Sequence, residues 1–158
     1  MTAVRRSAKD RALGLLGYRA RSRAELSRRL LRAGYEEDEV SSALNDLEAV
    51  GLVDDEQFAR QLAAHELGAR GSGRRLAITA LRRAGVNDEM AERIVDETAP
   101  VDEEAKAEGL ARGRLGRLRG LDDATAHRRL VSYLLRRGYD GHVARGAALR
   151  ALSDLAED

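Results

Sequence analysis

Apolar residues recur along this chain at three- and four-residue spacings, with no sustained alternation of the kind a strand needs. The pattern predicts an all-α protein. A first helix over residues 8–18 sets Ala12, Leu15 and Leu16 on one stripe. Ser22-Arg23-Ala24-Glu25 has the form of a capping box and opens a second helix, which Gly34 ends in a left-handed turn. A third helix over residues 37–50 turns Val40, Leu44 and Leu47 inward and closes at Gly51. Asp54-Asp55 then offers an N-cap for a fourth, with Phe58, Leu62 and Leu67 along one face. Gly71-Ser72-Gly73 reads as a flexible turn before a fifth helix over residues 74–84. Asn87 caps a sixth, ending near residue 98, with Met90, Ile94 and Val95 apolar. Pro100, the only proline, separates this helix from the next or opens that one.

A seventh helix is expected over residues 102–118, and it contains Gly109, Gly113 and Gly116. Each glycine costs about 1 kcal/mol against alanine in a helix interior. Two readings stand: a frayed helix, or close approach by a neighbouring backbone. Helices over 123–137 and 141–155 complete the set, and the tail Ala156-Glu157-Asp158 is expected to be disordered.

One phrase returns three times in this pattern. Aligned on Gly34, Gly85 and Gly138, it has Leu30, Leu81 and Leu134 four residues before, and Arg32, Arg83 and Arg136 two before. Tyr35, Val86 and Tyr139 follow directly. The glycines are 51 and 53 residues apart (85 − 34 and 138 − 85), so the chain reads as three copies of a three-helix unit: 1–52, 53–99 and 100–158. Units this small bury little surface alone and must lean on their neighbours. With 43% apolar residues but one Phe and no Trp, the core has to be built from Leu, Ala and Val.

Charge changes the picture through its distribution. The formal net charge is +1, which argues against coating nucleic acid by bulk attraction. Yet from Arg23 to Ala33, Arg74 to Ala84 and Arg128 to Arg137 there are twelve arginines against one acid, Glu25. Glu36-Glu37-Asp38-Glu39, Asp88-Glu89 and Asp140 open the segments that follow. Complementing helix dipoles is one account of this segregation. The other is recognition, by Arg28, Arg29, Arg32, Arg74, Arg75, Arg82, Arg83, Arg128, Arg129, Arg136 and Arg137, of phosphates or carboxylates. Arg75 with Arg82, and Arg129 with Arg136, are seven residues apart, and Arg28 with Arg32 four, so each pair shares a helix face. Together they would form a discontinuous basic track suited to a long polymer, with the acidic helix starts on an opposite face.

Catalytic constellations do not emerge. There is no cysteine for a disulfide, a thiolate or a zinc ribbon, and His65, His127 and His142 are not spaced as metal ligands. Asp54-Asp55 and Asp122-Asp123 are explained by capping. Gly71-Ser72-Gly73 lacks the lysine and the preceding strand of a phosphate loop. Tyr18, Tyr35, Tyr133, Tyr139 and Phe58 fall at core or turn positions, leaving no expected platform for stacking bases. The sequence thus predicts a non-enzyme without cofactor or metal. It also predicts a cytoplasmic protein, since no signal segment or run of 18 apolar residues occurs, and a monomer, since no coiled-coil heptad does. A three-helix unit with a basic helix also resembles homeodomain-like modules, so a plain DNA-binding protein stands as an alternative, and a helical scaffold for an unrelated protein as a third.

The ordered set of motifs, SRAELSRRLLRAGY, then GLVDDEQFARQLAAHELGARGSGRRLAITALRRAGV, then RRLVSYLLRRGYD, resembles the RecX regulatory proteins of bacteria over roughly residues 8 to 152. The run from Gly51 to Gly85 is its most specific part. The resemblance implies nine helices in three tandem repeats, forming an elongated, curved body that lies in the groove of the RecA nucleoprotein filament. It further implies restraint of filament growth, ATP hydrolysis and strand exchange, and weak phosphate-type contacts to single- or double-stranded DNA. The arginines named above are the candidates carried over. The sparsely basic fourth helix, with only Arg60 and Arg70, is a departure.

Overall fold

The computed structural model describes residues 6–155, and among them nine α-helices form and no strand. The first triplet is α1 (Ala8–Leu16), α2 (Arg23–Arg32) and α3 (Glu37–Ala49). The second is α4 (Asp55–Leu67), α5 (Arg74–Arg83) and α6 (Asp88–Thr98). The third is α7 (Glu103–Arg112), α8 (Asp123–Arg136) and α9 (Gly141–Leu155), with a 3-10 turn at Leu115–Arg117 between α7 and α8. The tail 156–158 lies outside the described residues. Caps explain most starts: Ser7, Ser22, Asp54, Asn87, Asp102 and Asp122 each accept the backbone N–H three residues on. Gly34, Gly85 and Gly138 hold φ of 85°, 92° and 92°, the left-handed geometry that ends α2, α5 and α8.

Each triplet closes its own core. Leu26, Leu30, Tyr35, Val40, Leu44 and Leu47 fill the first, with Val53 packed into it from beyond α3. Ala59, Ala63, Leu81, Val86, Ile94 and Val95 fill the second. In the third, Ala107 and Ala111 of α7 meet Ala144, Ala147, Ala148 and Ala151 of α9, all fully buried, around Leu130, Leu134 and Tyr139. The close helix approach there comes from alanine. The glycines serve otherwise: Gly113 caps α7, well short of the expected residue 118, and nothing lies within 4 Å of where a side chain on Gly109 or Gly116 would project. The close-approach reading of these glycines is therefore overturned.

Two like joints link the triplets. At the first, Ser22 Oγ donates to the carbonyl of Ala84 at the end of α5, while Asp55 at the start of α4 accepts the Arg23 amide at 2.7 Å. At the second, the amides of Gly73 and Arg75 donate to the carbonyls of Arg137 and Gly138 at 2.8 and 3.2 Å, and Glu103 at the start of α7 accepts the Arg74 amide at 3.4 Å. Orphan donors at one helix start thus satisfy orphan acceptors at the next unit's helix end. The expected flexible turn at Gly71-Ser72-Gly73 is instead buried: Ser72 Oγ donates to Glu66 at 2.8 Å, and Tyr139 Oη to the carbonyl of Gly71 at 3.2 Å. In this way α2, α5 and α8 are chained, the start of each meeting the end of the next. The surface is 9879 Å², against about 7,800 Å² for a compact monomer of this mass, as three small bodies in a row require.

Candidate nucleic-acid and partner interface

The chained helices carry the repeated arginines. Arg28, Arg29 and Arg32 of α2 line an open cleft of about 840 Å³ together with Arg11, Arg19 and, from the next unit, Arg83. Leu15, Phe58, Leu62 and Ala80 make its apolar floor. One acid, Glu25, lines it; its Oε1 accepts from Arg19 at 2.7 Å, from Arg29 at 3.0 Å and from Arg21. Burial pushes the Glu25 carboxyl up, but the three guanidinium hydrogen bonds outweigh that and hold it below the usual carboxylate range. The sequence placed Glu25 in a reciprocal capping box; Ser22 does cap the Glu25 amide, at 3.1 Å, while the carboxylate gathers arginines.

Arg75 and Arg82 share a second cleft, about 350 Å³, with Leu76, Ile78, Thr79 and Arg136 at the joint between the second and third units. Arg128, Arg129 and Arg136 share a third, also about 350 Å³, with Arg114, Arg117, Ser132 and Tyr133. Arg136 lines both, so these two clefts are neighbours. The face-sharing pairs expected from spacing are therefore brought together.

Not every candidate arginine is available. Arg74 pairs with Asp96 of α6, Arg82 with Asp88 and Glu92 at 2.8 and 2.9 Å, and Arg29 with Glu25. The Arg82 pairs correct the expectation of acidic helix starts on an opposite face, because Asp88 opens α6 and sits against the track. Arg137 turns into the second joint, where Nη2 donates to the carbonyl of Arg70. Among the described residues, Arg28, Arg32, Arg75, Arg83, Arg128, Arg129 and Arg136 have no carboxylate within 4 Å. α4 gives the track apolar floor rather than charge: Arg60 of α4 and Arg93 of α6 each bridge both Glu56 and Glu97 in a closed ring at 2.9 to 3.2 Å, and Arg70, just beyond α4, pairs with Glu66 at 3.1 Å.

Sequence reasoning missed Arg11, Arg19, Arg114 and Arg117, which belong to no repeated helix and reach the clefts only through folding. It also missed Tyr133, which is half-buried and lies under the Arg114 guanidinium, 4.2 Å from its carbon to the ring centroid. The spacing of Arg114, Arg117 and the glycines around them was the available signal. Among the described residues no group of His, Asp and Glu could hold a metal, and no helix is long and apolar enough to cross a membrane.

This geometry defines a class: a tandem three-helix repeat protein whose basic second helices run in one chained row. Family models for the first and third three-helix domains of RecX match residues 8–47 and 102–147. "Regulatory protein RecX" of Amycolatopsis mediterranei is 38% identical over 134 residues, covering 85% of this chain and 77% of that one. The protein of the same name from Mycolicibacterium smegmatis is 41% identical over 142 residues, covering 87% and 75%. The crystal structure of RecX from Lactobacillus salivarius superposes with a TM-score of 0.84 at 20% identity, over 91% of this chain and 94% of that one, and shares the fold. The chain belongs to the RecX family.

Proposed function

We propose that this protein binds RecA and RecA–DNA filaments and restrains the recombinase, lowering its ATP hydrolysis and strand exchange in DNA repair. Its relatives are regulatory proteins by name, and the chain is a regulator rather than an enzyme. The observation that carries the reading is the row of α2, α5 and α8, which offers seven arginines without carboxylate partners across three units. A partner that repeats along an axis can engage such a row at several points, and linked weak contacts multiply into avidity. Phosphates and acidic groove walls both suit unpaired guanidinium groups. In this reading the units 1–52, with Val53 closing the core, 53–99 and 100–158 act as one monomeric body in the cytoplasm. The arginine face is the contact surface, with Arg28, Arg32, Arg75, Arg83, Arg128, Arg129 and Arg136 foremost.

The test is DNA-dependent ATP hydrolysis and strand exchange by the cognate RecA, with and without the protein at up to one copy per RecA. Inhibition at or below that ratio is expected. No effect at any ratio, together with tight binding to one particular naked duplex sequence, would replace this reading with that of a plain DNA-binding protein.

A further inference from the structure

The third cleft differs from the other two in chemistry. Five arginines line it, Arg114, Arg117, Arg128, Arg129 and Arg136, and none has a carboxylate within 4 Å among the described residues. Arg128 feels Asp122 only at longer range: the carboxyl there is held low chiefly by hydrogen bonds from Thr125, with the Arg128 charge a lesser cause. Of these three clefts it alone holds an aromatic ring capped by a cation, Tyr133 beneath Arg114 at 4.2 Å. Leu118 and Leu130 form its apolar floor and Ser132 adds a hydroxyl. About 350 Å³ is at the lower end of the range for small-molecule sites.

We propose that this cleft is a subsite for one nucleotide of a single strand of nucleic acid, which rests on the reading of the arginine face above and names a ligand for its third cleft. The base stacks on the outer side of the Arg114 guanidinium, a platform that the Tyr133 ring backs at 4.2 Å, as unpaired bases do on arginine planes. The flanking phosphates lie among Arg117, Arg128, Arg129 and Arg136, and Arg136, which also lines the neighbouring second cleft, leads the backbone on toward Arg75. A duplex keeps its bases stacked inside and cannot use the platform. An acidic peptide would satisfy the arginines but leave the platform and its leucine floor unused.

Binding of the full-length protein to a fluorescein-labelled dT20 strand, followed by anisotropy without recombinase, tests this. Competitors are an abasic 20-mer, a 20-base-pair duplex, oligoglutamate of equal charge and dTMP. The expected order is dT20 tighter than the abasic strand by roughly 5- to 150-fold, the range for one stacked base, with duplex, oligoglutamate and dTMP weaker still. Tyr133→Phe should retain that advantage, and Tyr133→Leu and Arg114→Ala should each erase most of it while helicity by circular dichroism stays unchanged. Equal binding of dT20 and its abasic analogue overturns the subsite, as does oligoglutamate or duplex competing as well as dT20. dTMP binding as tightly as the strand would make the ligand a free nucleotide and overturn it too. Since RecA is absent throughout, failure here leaves the proposed regulation of ATP hydrolysis to its own assay.

Discussion

Tyr139 is the third copy of the residue after the helix-ending glycine, and the structure turns it from core filler into a strut. It is fully buried, and its hydroxyl reaches across the second joint to the carbonyl of Gly71. Burial, reinforced by Glu103, pushes its phenol up to about 12 from 10.0. The folded chain therefore holds a proton that the unfolded chain releases near pH 10. Its contribution is complete below pH 10 and is lost as pH climbs to about 12, about 3 kcal/mol at most for two pKa units. Melting followed from pH 8 to 12 should show a steep fall in Tm above pH 10. Tyr139→Phe should start about 1 kcal/mol less stable, having lost one hydrogen bond, and then fall more gently over that interval; a parallel fall would remove Tyr139 as the cause. Glu25 has the opposite sign, since its lowered carboxyl adds stability above the usual carboxylate range and gives it up as the solution is acidified.

At the scale of the element, the two joints explain why glycine stands where it does. A side chain on Gly138 would meet Leu76 Cβ at 2.4 Å, and one on Gly85 would meet Ala24 Cβ at 2.6 Å, both at φ of 92°. Gly73 is the sharper test, because its backbone suits any residue (φ −76°), yet an added Cβ would sit 2.4 Å from the carbonyl carbon of Gly138. Gly73→Ala should loosen the second joint at a cost of roughly 1–3 kcal/mol, in the range for overpacking. Hydrogen exchange should rise at the amides of Gly73 and Arg75 while the cores of α1–α3 and α7–α9 stay protected. Unchanged exchange at those two amides would show that the joint accommodates the added methyl without opening. The glycines Gly109, Gly113 and Gly116 resist sequence reading because a sequence shows that glycine is present without showing what lies beside it. Beside Gly109 and Gly116 is open space, and the tight helix contact of the third unit belongs to alanine.

For the whole molecule, the decisive property is which arginines remain unpaired. Net charge is nearly zero, so affinity for a polyanion must come from local cations, and removing one phosphate-binding guanidinium should reduce the salt slope of binding by about 0.7 to 0.9. Replacing Arg32, Arg83 and Arg129 by Ala should lower affinity for single-stranded DNA and flatten that slope by about 2 in total. Arg74→Ala, which takes away a guanidinium already held by Asp96, should leave both nearly unchanged. Titrations between about 50 and 300 mM salt check this, and equal effects of the two variants would show that pairing does not select the contact residues. The all-α class, the threefold repeat and most helix ends were legible because period, capping residues and glycine act within a turn or two of themselves. Of the arginine candidates, face sharing within a helix was legible for the same reason.

Local matters are written in the chain itself: the helices, their starts at Ser, Asp and Asn, their stops at glycine, and a basic stripe on the middle helix of each unit. That these stripes line up is a result of folding, because the alignment depends on amides of Gly73 and Arg75 meeting carbonyls about 60 residues away, and on Asp55 and Glu103 capping the helix starts of the preceding units. Folding also selects which charges are available. Arg82 and Arg74 find acids on α6, Arg137 finds a carbonyl in the joint, and Arg114 finds Tyr133. Pairing of this kind is a matter of distance between elements, and distance between elements is what a one-dimensional pattern does not contain.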